Sequence, residues 1–553
     1  MDYLQHFATR LRRLVTPQSE LIPGTAQVPN SAGGYAWPVS TWDRLDRFLV
    51  LGSEGGTYYI GERELTIENA KAVVELLDED GVRVVQRVVE ISESGRAAKN
   101  DPALFVLAMA AGLGDEATRA AALEAMPRVA RTATHLFHWM HYVQGFRGWG
   151  RGVRRAVAGW YTGRAPRTLA YQLLKYGARD GWSHRDALRL AHPKPPTASH
   201  DLLFRFAVNG WEALAEVDEA TPDTVDLTVL EMLEAVRSLE GMEPREAAAV
   251  IARHRLVREM VPTPLLRHPE VWEALLQDMP LTAMIRNLGV MTRVGLIASI
   301  GPEARMVADR LADEEALRKA RVHPLSVLVA LKTYAQGRGM RGTGVWTPVP
   351  KVVDALDQAF YLTFRNAPTT GKRTMLALDV SGSMTVGVSG LPFVSCREAS
   401  AAMALVTAAS EPQHMFTAFT AGNYPSRFGA GWGSGLTELS ISPRQRLDDV
   451  VAKTSCLPFG GTDCALPMVE ARKHGWAIDV FVVYTDSETW AGSIHPVQAL
   501  RQYRERTGIP AKLVVVGMAS NGFTIADPED AGMLDVVGFD TAAPALIADF
   551  ASG

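Results

Sequence analysis

At 553 residues, with 47% apolar and 21% charged residues, the chain is too long for one compact core and too ordinary in composition for a disordered or fibrous protein. Its formal net charge of −4 neither requires nor excludes a polyanionic partner, because binding follows how charge is distributed and not its sum. Three cysteines, Cys396, Cys456 and Cys464, provide no disulfide framework and no CxxC pair, and no stretch of 18 uncharged apolar residues occurs, so a reducing, cytoplasmic setting without membrane spanning or structural zinc is expected.

From about residue 63 to 365 the sequence reads as successive amphipathic helices, among them LTIENAKAVVELLDEDG, PALFVLAMAAGLG and PREAAAVIARHRLVREM, divided by Gly, Pro or Asp-Gly. Strand signals are almost absent there, and stacked helix pairs of this kind predict an α-solenoid.

Within this region, Arg128 to Arg189 contains twelve Arg and Lys residues but only two acids, Asp180 and Asp186. The run WGRGVRRAVAGWY places Arg151, Arg154 and Arg155 at helical spacing, with Ala156, Val157 and Trp160 free to face inward. The next segment adds Lys175, Arg179, His184, Arg185, Arg189 and His192, interleaved with Tyr176 and Trp182. Cations for phosphates beside aromatic rings for bases suit single-stranded or irregular RNA. An Arg-rich helix can equally present only a solvated face. His135, His138 and His141 drift around their helix without a carboxylate at metal spacing, so no role is assigned to them.

The texture changes near residues 368–373. The runs TMLALDV, HMFTAFT, IDVFVVYTD and AKLVVVGM read as buried strands, alternating with helices in VSCREASAAMALVTAAS and SPRQRLDDVVAKT, the latter expected to start at Ser442 and Pro443. This alternation predicts an α/β, doubly wound, mostly parallel sheet, whose ligands bind beyond the carboxyl ends of its strands. The expected division is residues 1–367 and 368–553.

Three strand-end loops converge there on oxygen chemistry. LALDVSGSM supplies Asp379, Ser381 and Ser383; FGGTDCALP supplies Thr462 and Asp463; FVVYTD ends in Asp486. Few carboxylates with several hydroxyls suit Mg²⁺ or Mn²⁺, with calcium and zinc fitting less well. The constellation resembles the metal-ion-dependent adhesion site of von Willebrand A domains, in which the matching ligands are Asp379, Ser381, Ser383, Thr462 and Asp486, the last often through water. The resemblance implies an open coordination position for the carboxylate of an acidic protein ligand.

Seven runs, NSAGGYAW, GSEGGTYYI, GWSHRDALRLAH, HRLVRE, MPLTAMIRNLG, GGTDCALPM and SNGFTIADP, resemble in order the signature segments of the Ro (TROVE-domain) ribonucleoprotein family. The resemblance implies a monomeric ring of HEAT-like repeats joined to a von Willebrand A-type domain. Y RNA is expected on the outer basic surface, at His184 with Lys175, Arg179, Arg185, Arg151, Arg154 and Arg155. Single-stranded 3′ ends of misfolded noncoding RNA are expected in the central hole. In a bacterium, Y RNA would tether an exoribonuclease, polynucleotide phosphorylase. A glycine-rich segment at 421–435, with Arg427 and Trp432, is expected to gate the metal face. The rival readings are a metal-dependent protein-interaction module using the helices as a platform and a metal-dependent nuclease, the latter short of carboxylates for paired metals.

Overall fold

A computed structural model describes residues 15–51, 62–97, 99–215, 225–339, 343–364, 369–388, 391–420, 435–457, 460–519, 521–537 and 543–552. Segment GSEGGTYYI and all but the last residue of the expected gate at 421–435 lie outside the described residues.

The helical region follows from its apolar periodicity. Each helix buries a stripe of Leu, Val, Ala and Met against its neighbours, as in Ala133–Phe146, where Leu136, Phe137, Trp139, Met140 and Val143 are buried behind a Thr132 cap. The expected Asp-Gly break holds: the helical stretch Glu62–Ser94 is interrupted at Asp80, whose φ of −155° and ψ of 71° are non-helical, and a Cβ on Gly81 would lie 2.3 Å from the Thr118 hydroxyl. One boundary differs from expectation: the helix Pro244–His254 stops short of Met260 at a left-handed Arg255.

The array begins and ends on the C-terminal domain. Its first helix, Thr41–Leu51, packs on the strand Met533–Val537, and Arg47 bonds Asp535 at 2.6 Å and the Asn521 side chain at 2.7 Å. At the far end, Lys332 pairs with Glu398 at 2.6 Å, and Asp357 accepts from the Leu447 amide at 2.7 Å. The helices also close on themselves, His323 Nε2 lying 3.2 Å from the Arg96 carbonyl. A solenoid held at both ends in this way is a ring.

The C-terminal sheet has the order Met533–Val537, Lys512–Gly517, Val480–Thr485, Thr374–Asp379, His414–Phe419, Leu436–Leu439; the first five are parallel and the last is antiparallel. Helices cover both faces, so its central strands carry unbroken apolar runs. The two faces enter different cores. Met375, Ala377, Phe481 and Val483 pack with the Leu466–His474 and Pro496–Thr507 side, whereas Leu376, Leu378, Val482 and Tyr484 belong to the same continuous core as the ring helices.

Ser442 and Pro443 do not open a helix. The helix is Leu447–Ser455, and Ser442 instead accepts from the Arg444 amide at 3.2 Å in a turn, leaving Arg446 free to bridge Asp448 and Asp354. The chain's own beginning joins this domain: Tyr35–Pro38 pairs antiparallel with Val28–Pro29 and with Phe523–Thr524. Among the described residues no helix is long and apolar enough to cross a membrane.

Candidate functional site

The basic stretch folds into helices Arg151–Thr162, Pro166–Lys175 and His184–Ala191, with a two-residue hairpin, Ala178–Arg179 against Trp182–Ser183, between the last two. The hairpin turns at Asp180–Gly181, both with positive φ, a requirement that the Asp-Gly pair meets and that the helical periodicity concealed. The first helix buries Val153, Val157, Trp160 and Tyr161 and exposes Arg151, Arg154 and Arg155 on the opposite side.

The cations of this stretch divide into two kinds. Arg128 forms a bidentate pair with Glu93, Arg131 bonds the Ser92 hydroxyl at 2.9 Å, Arg147 bonds the Ala111 carbonyl at 3.3 Å, and Arg164 lies 3.5 Å over the Trp160 ring. These build the fold. Arg151, Arg154, Arg155, Arg167, Arg185 and Arg189 are exposed and have neither an ion pair nor a side-chain hydrogen bond among the described residues.

The two acids do not neutralise them. Asp180 is held by His138, with Arg179 only at 3.9 Å, while Asp186 accepts from the Ser183 amide and hydroxyl at 3.0 and 2.5 Å in a capping box. Lys175 donates to the Tyr171 hydroxyl at 2.9 Å and stands beside the Tyr176 ring. Trp149 and Trp182 meet with ring centroids 5.1 Å apart, two residues before Arg151 and three before Arg185.

His184 corrects an expectation. It was read as a surface contact, yet it is buried, packed edge-on against Phe137 and hydrogen-bonded through Nδ1 to the Tyr161 hydroxyl at 2.8 Å. Burial pulls its pKa down to about 4, so the ring is neutral at pH 7. It therefore fastens the Arg151–Thr162 helix to the helix that begins at His184, and positions cations without offering one.

On the C-terminal domain, Asp379, Ser381, Ser383, Thr462 and Asp486 lie on the loops beyond the strand ends, none more than 3% exposed. Asp379 accepts from the Ser381 amide at 2.9 Å and the Thr485 hydroxyl at 2.6 Å; the Ser381 and Ser383 hydroxyls are 3.0 Å apart; Gly382 N donates to Gly460 O at 3.3 Å, tying the first two loops. Thr462 Oγ1 is buried without a hydrogen-bond partner among the described residues, as is Glu488 Oε1.

Burial, then the charge of Asp379, pushes Asp486 up to about 7, and burial likewise raises Asp379. A divalent cation between these loops would reverse that cost and give the orphaned hydroxyl a partner. Among the described residues no three His, Cys, Asp or Glu gather as a metal cage; the donors present, two carboxylates with the Ser381, Ser383 and Thr462 hydroxyls, are of the kind that suits a hard, partly hydrated ion. Arg397 braces the loop from below, donating to the Val380 carbonyl at 2.6 Å. Thr485, Glu488 and Arg397 were missed by reading the sequence, since only the folded loops bring them to the site.

Comparison with known proteins accounts for both halves. A TROVE domain model matches residues 28–333, and a Ro60 vWA domain model matches residues 373–551. The chain is 41% identical over 554 residues to the RNA-binding protein RO60 of Deinococcus radiodurans, covering 100% of both. It is 39% identical to the RNA-binding protein RO60 of Caenorhabditis elegans, over 95% of this chain and 90% of that one. The crystal structure of the Deinococcus radiodurans RO (RSR) protein superposes with a TM-score of 0.68 at 42% identity, over 93% of this chain and 100% of that one. A helical ring and an A-type domain matched in the same order along the full length place this chain in the Ro60 family of TROVE-domain proteins.

Proposed function

We propose that this chain is a noncatalytic RNA-binding scaffold, and the observation that carries the reading is the set of exposed arginines, unpaired among the described residues, on the Arg151–Thr162 and His184–Ala191 helices. A guanidinium with no protein partner keeps its planar fork for phosphate, and each phosphate neutralised releases counterions. The relatives named as RNA-binding proteins support the same reading. The ligand on this outer surface is Y RNA, with Arg151, Arg154, Arg155, Lys175, Arg179 and Arg185 as contacts; the ring opening takes single-stranded 3′ ends of misfolded noncoding RNA. The protein works as a monomeric ring in cytoplasmic RNA quality control, Y RNA tethering polynucleotide phosphorylase for exonuclease-assisted decay.

The test is fluorescence anisotropy with a labelled RNA hairpin bearing a 3′ single-stranded tail, titrated from low to physiological salt. Tight binding that falls steeply with salt is expected; RNA binding that is undetectable or indifferent to salt would overturn the reading. Incubation with Mg²⁺ should leave the RNA intact.

A second activity is favoured by the orphaned Thr462 hydroxyl among buried oxygen donors. Asp379, Ser381, Ser383, Thr462 and Asp486 would hold Mg²⁺, or Mn²⁺, and the bound ion would offer one coordination position to the carboxylate of an acidic protein ligand. If EDTA abolishes capture of such a ligand and spares RNA affinity, the two activities coexist on separate domains.

A further inference from the structure

The metal loops of the C-terminal domain are held in place by the other end of the chain. Gln18 donates from Nε2 to Asp463 Oδ1 at 2.7 Å and to the Ile494 carbonyl at 2.8 Å, while its Oε1 accepts from the Thr489 hydroxyl and its backbone N donates to Gly492 O at 2.9 Å. Asn30 Nδ2 donates to the Thr489 carbonyl at 2.6 Å, and the Ala32 amide donates to Glu488 Oε2 at 3.0 Å. Gly34 passes so close that a Cβ there would lie 2.0 Å from the Thr489 carbonyl oxygen.

Thr462 O, in turn, accepts from the amides of Trp490 and Ala491 at 3.1 and 3.0 Å, so this strap clasps the Thr462–Asp463 loop to the Asp486–Thr489 loop. The ring reaches the same place by a second route. Arg47, on the first ring helix, bonds the side chain and carbonyl of Asn521 at 2.7 and 3.0 Å, and Asn521 Nδ2 donates to the backbone carbonyl of Asp486 at 2.5 Å.

We infer that Gln18 and Asn521 are positioning residues for the A-domain metal centre, coupling its ion affinity to the seating of the ring's first helix. The inference rests on the metal reading given above. A hydrogen-bonded partner behind a ligand loop fixes where its oxygens point, and its loss lowers affinity while leaving the ligands in the sequence. Coupling is reciprocal, so a bound ion also strengthens the ring junction.

The experiment is Mn²⁺ binding to the full chain, followed by electron paramagnetic resonance, for the native protein and for Gln18→Ala, Asn521→Ala and Arg446→Ala. Arg446→Ala weakens the other ring junction, at Asp354, without touching the metal loops. Gln18→Ala and Asn521→Ala should each bind Mn²⁺ about tenfold more weakly, and Mn²⁺ should raise their melting temperatures less than it raises that of Arg446→Ala. Should Gln18→Ala not fold, the near-isosteric Gln18→Met removes the same side-chain hydrogen bonds while filling the buried site. Native-like Mn²⁺ affinity in Gln18→Ala and Asn521→Ala would overturn the inference, as would equal weakening in Arg446→Ala. A native protein that binds no Mn²⁺ would overturn the metal reading itself.

Discussion

The cationic face of the ring and the metal face of the A domain use charge in opposite ways. On the Arg151–Thr162 helix, guanidinium groups stand exposed and, among the described residues, unpaired, and the acids beside them are occupied elsewhere. At the strand ends, Asp379 and Asp486 are buried with hydroxyls for company. The first arrangement is open to water and screened by salt; the second is buried and carries a desolvation cost that protonation or a bound cation would relieve. One surface is suited to an extended polyanion and the other to a single ion, which is why the two can be separated by mutation.

The largest expected separation comes from Asp379→Ala, which should abolish Mn²⁺ binding, read by paramagnetic resonance, and leave RNA affinity within twofold; a parallel loss of RNA binding would break the comparison. Replacing Arg151, Arg154 and Arg155 together by Ala should weaken RNA binding roughly a hundredfold at low salt and flatten the log–log salt slope by about 2 to 3. Metal binding should not change.

A third effect lies under the cationic face. His184 is neutral in the fold, its pKa depressed to about 4 against about 6.5 when unfolded, so its contribution to stability is complete above about pH 6.5 and is lost as pH falls toward 4. The unfolding free energy from urea titration should drop over that window, by up to about 3 kcal/mol from this group, and His184→Gln should remove part of the slope. The smallest effect is Tyr161→Phe, which deletes the hydroxyl partner of His184 and should cost about 1 kcal/mol in urea unfolding. A change beyond 3 kcal/mol would mean that the pair organises more of the ring than its own bond.

The two faces also differ in how far they could be read from residues alone. The strand runs, the DxSxS loop and the amphipathic Arg helix are local patterns whose periods survive into the fold, so Asp379, Thr462, Asp486 and the exposed arginines fall on the elements expected. His184 misled because burial is not local. Its neighbours Phe137 and Tyr161 come from other helices, and nothing in GWSHRD shows that the ring turns inward. The helix start at Ser442 failed for a related reason: the helix begins instead at Leu447, whose amide donates to Asp357 of the ring, a tertiary partner that local preference does not reveal. Gln18 and Asn521 carried no chemical signal at all, since their meaning arises only where distant segments meet.

One face of the A-domain sheet, through Leu376, Leu378, Val482 and Tyr484, lies in the same apolar interior as the helices. Excising residues 368–553 would therefore strip greasy side chains of their cover and leave a sticky fragment. The two halves should melt in a single calorimetric peak, and evolution can alter either half only within the tolerance of its neighbour.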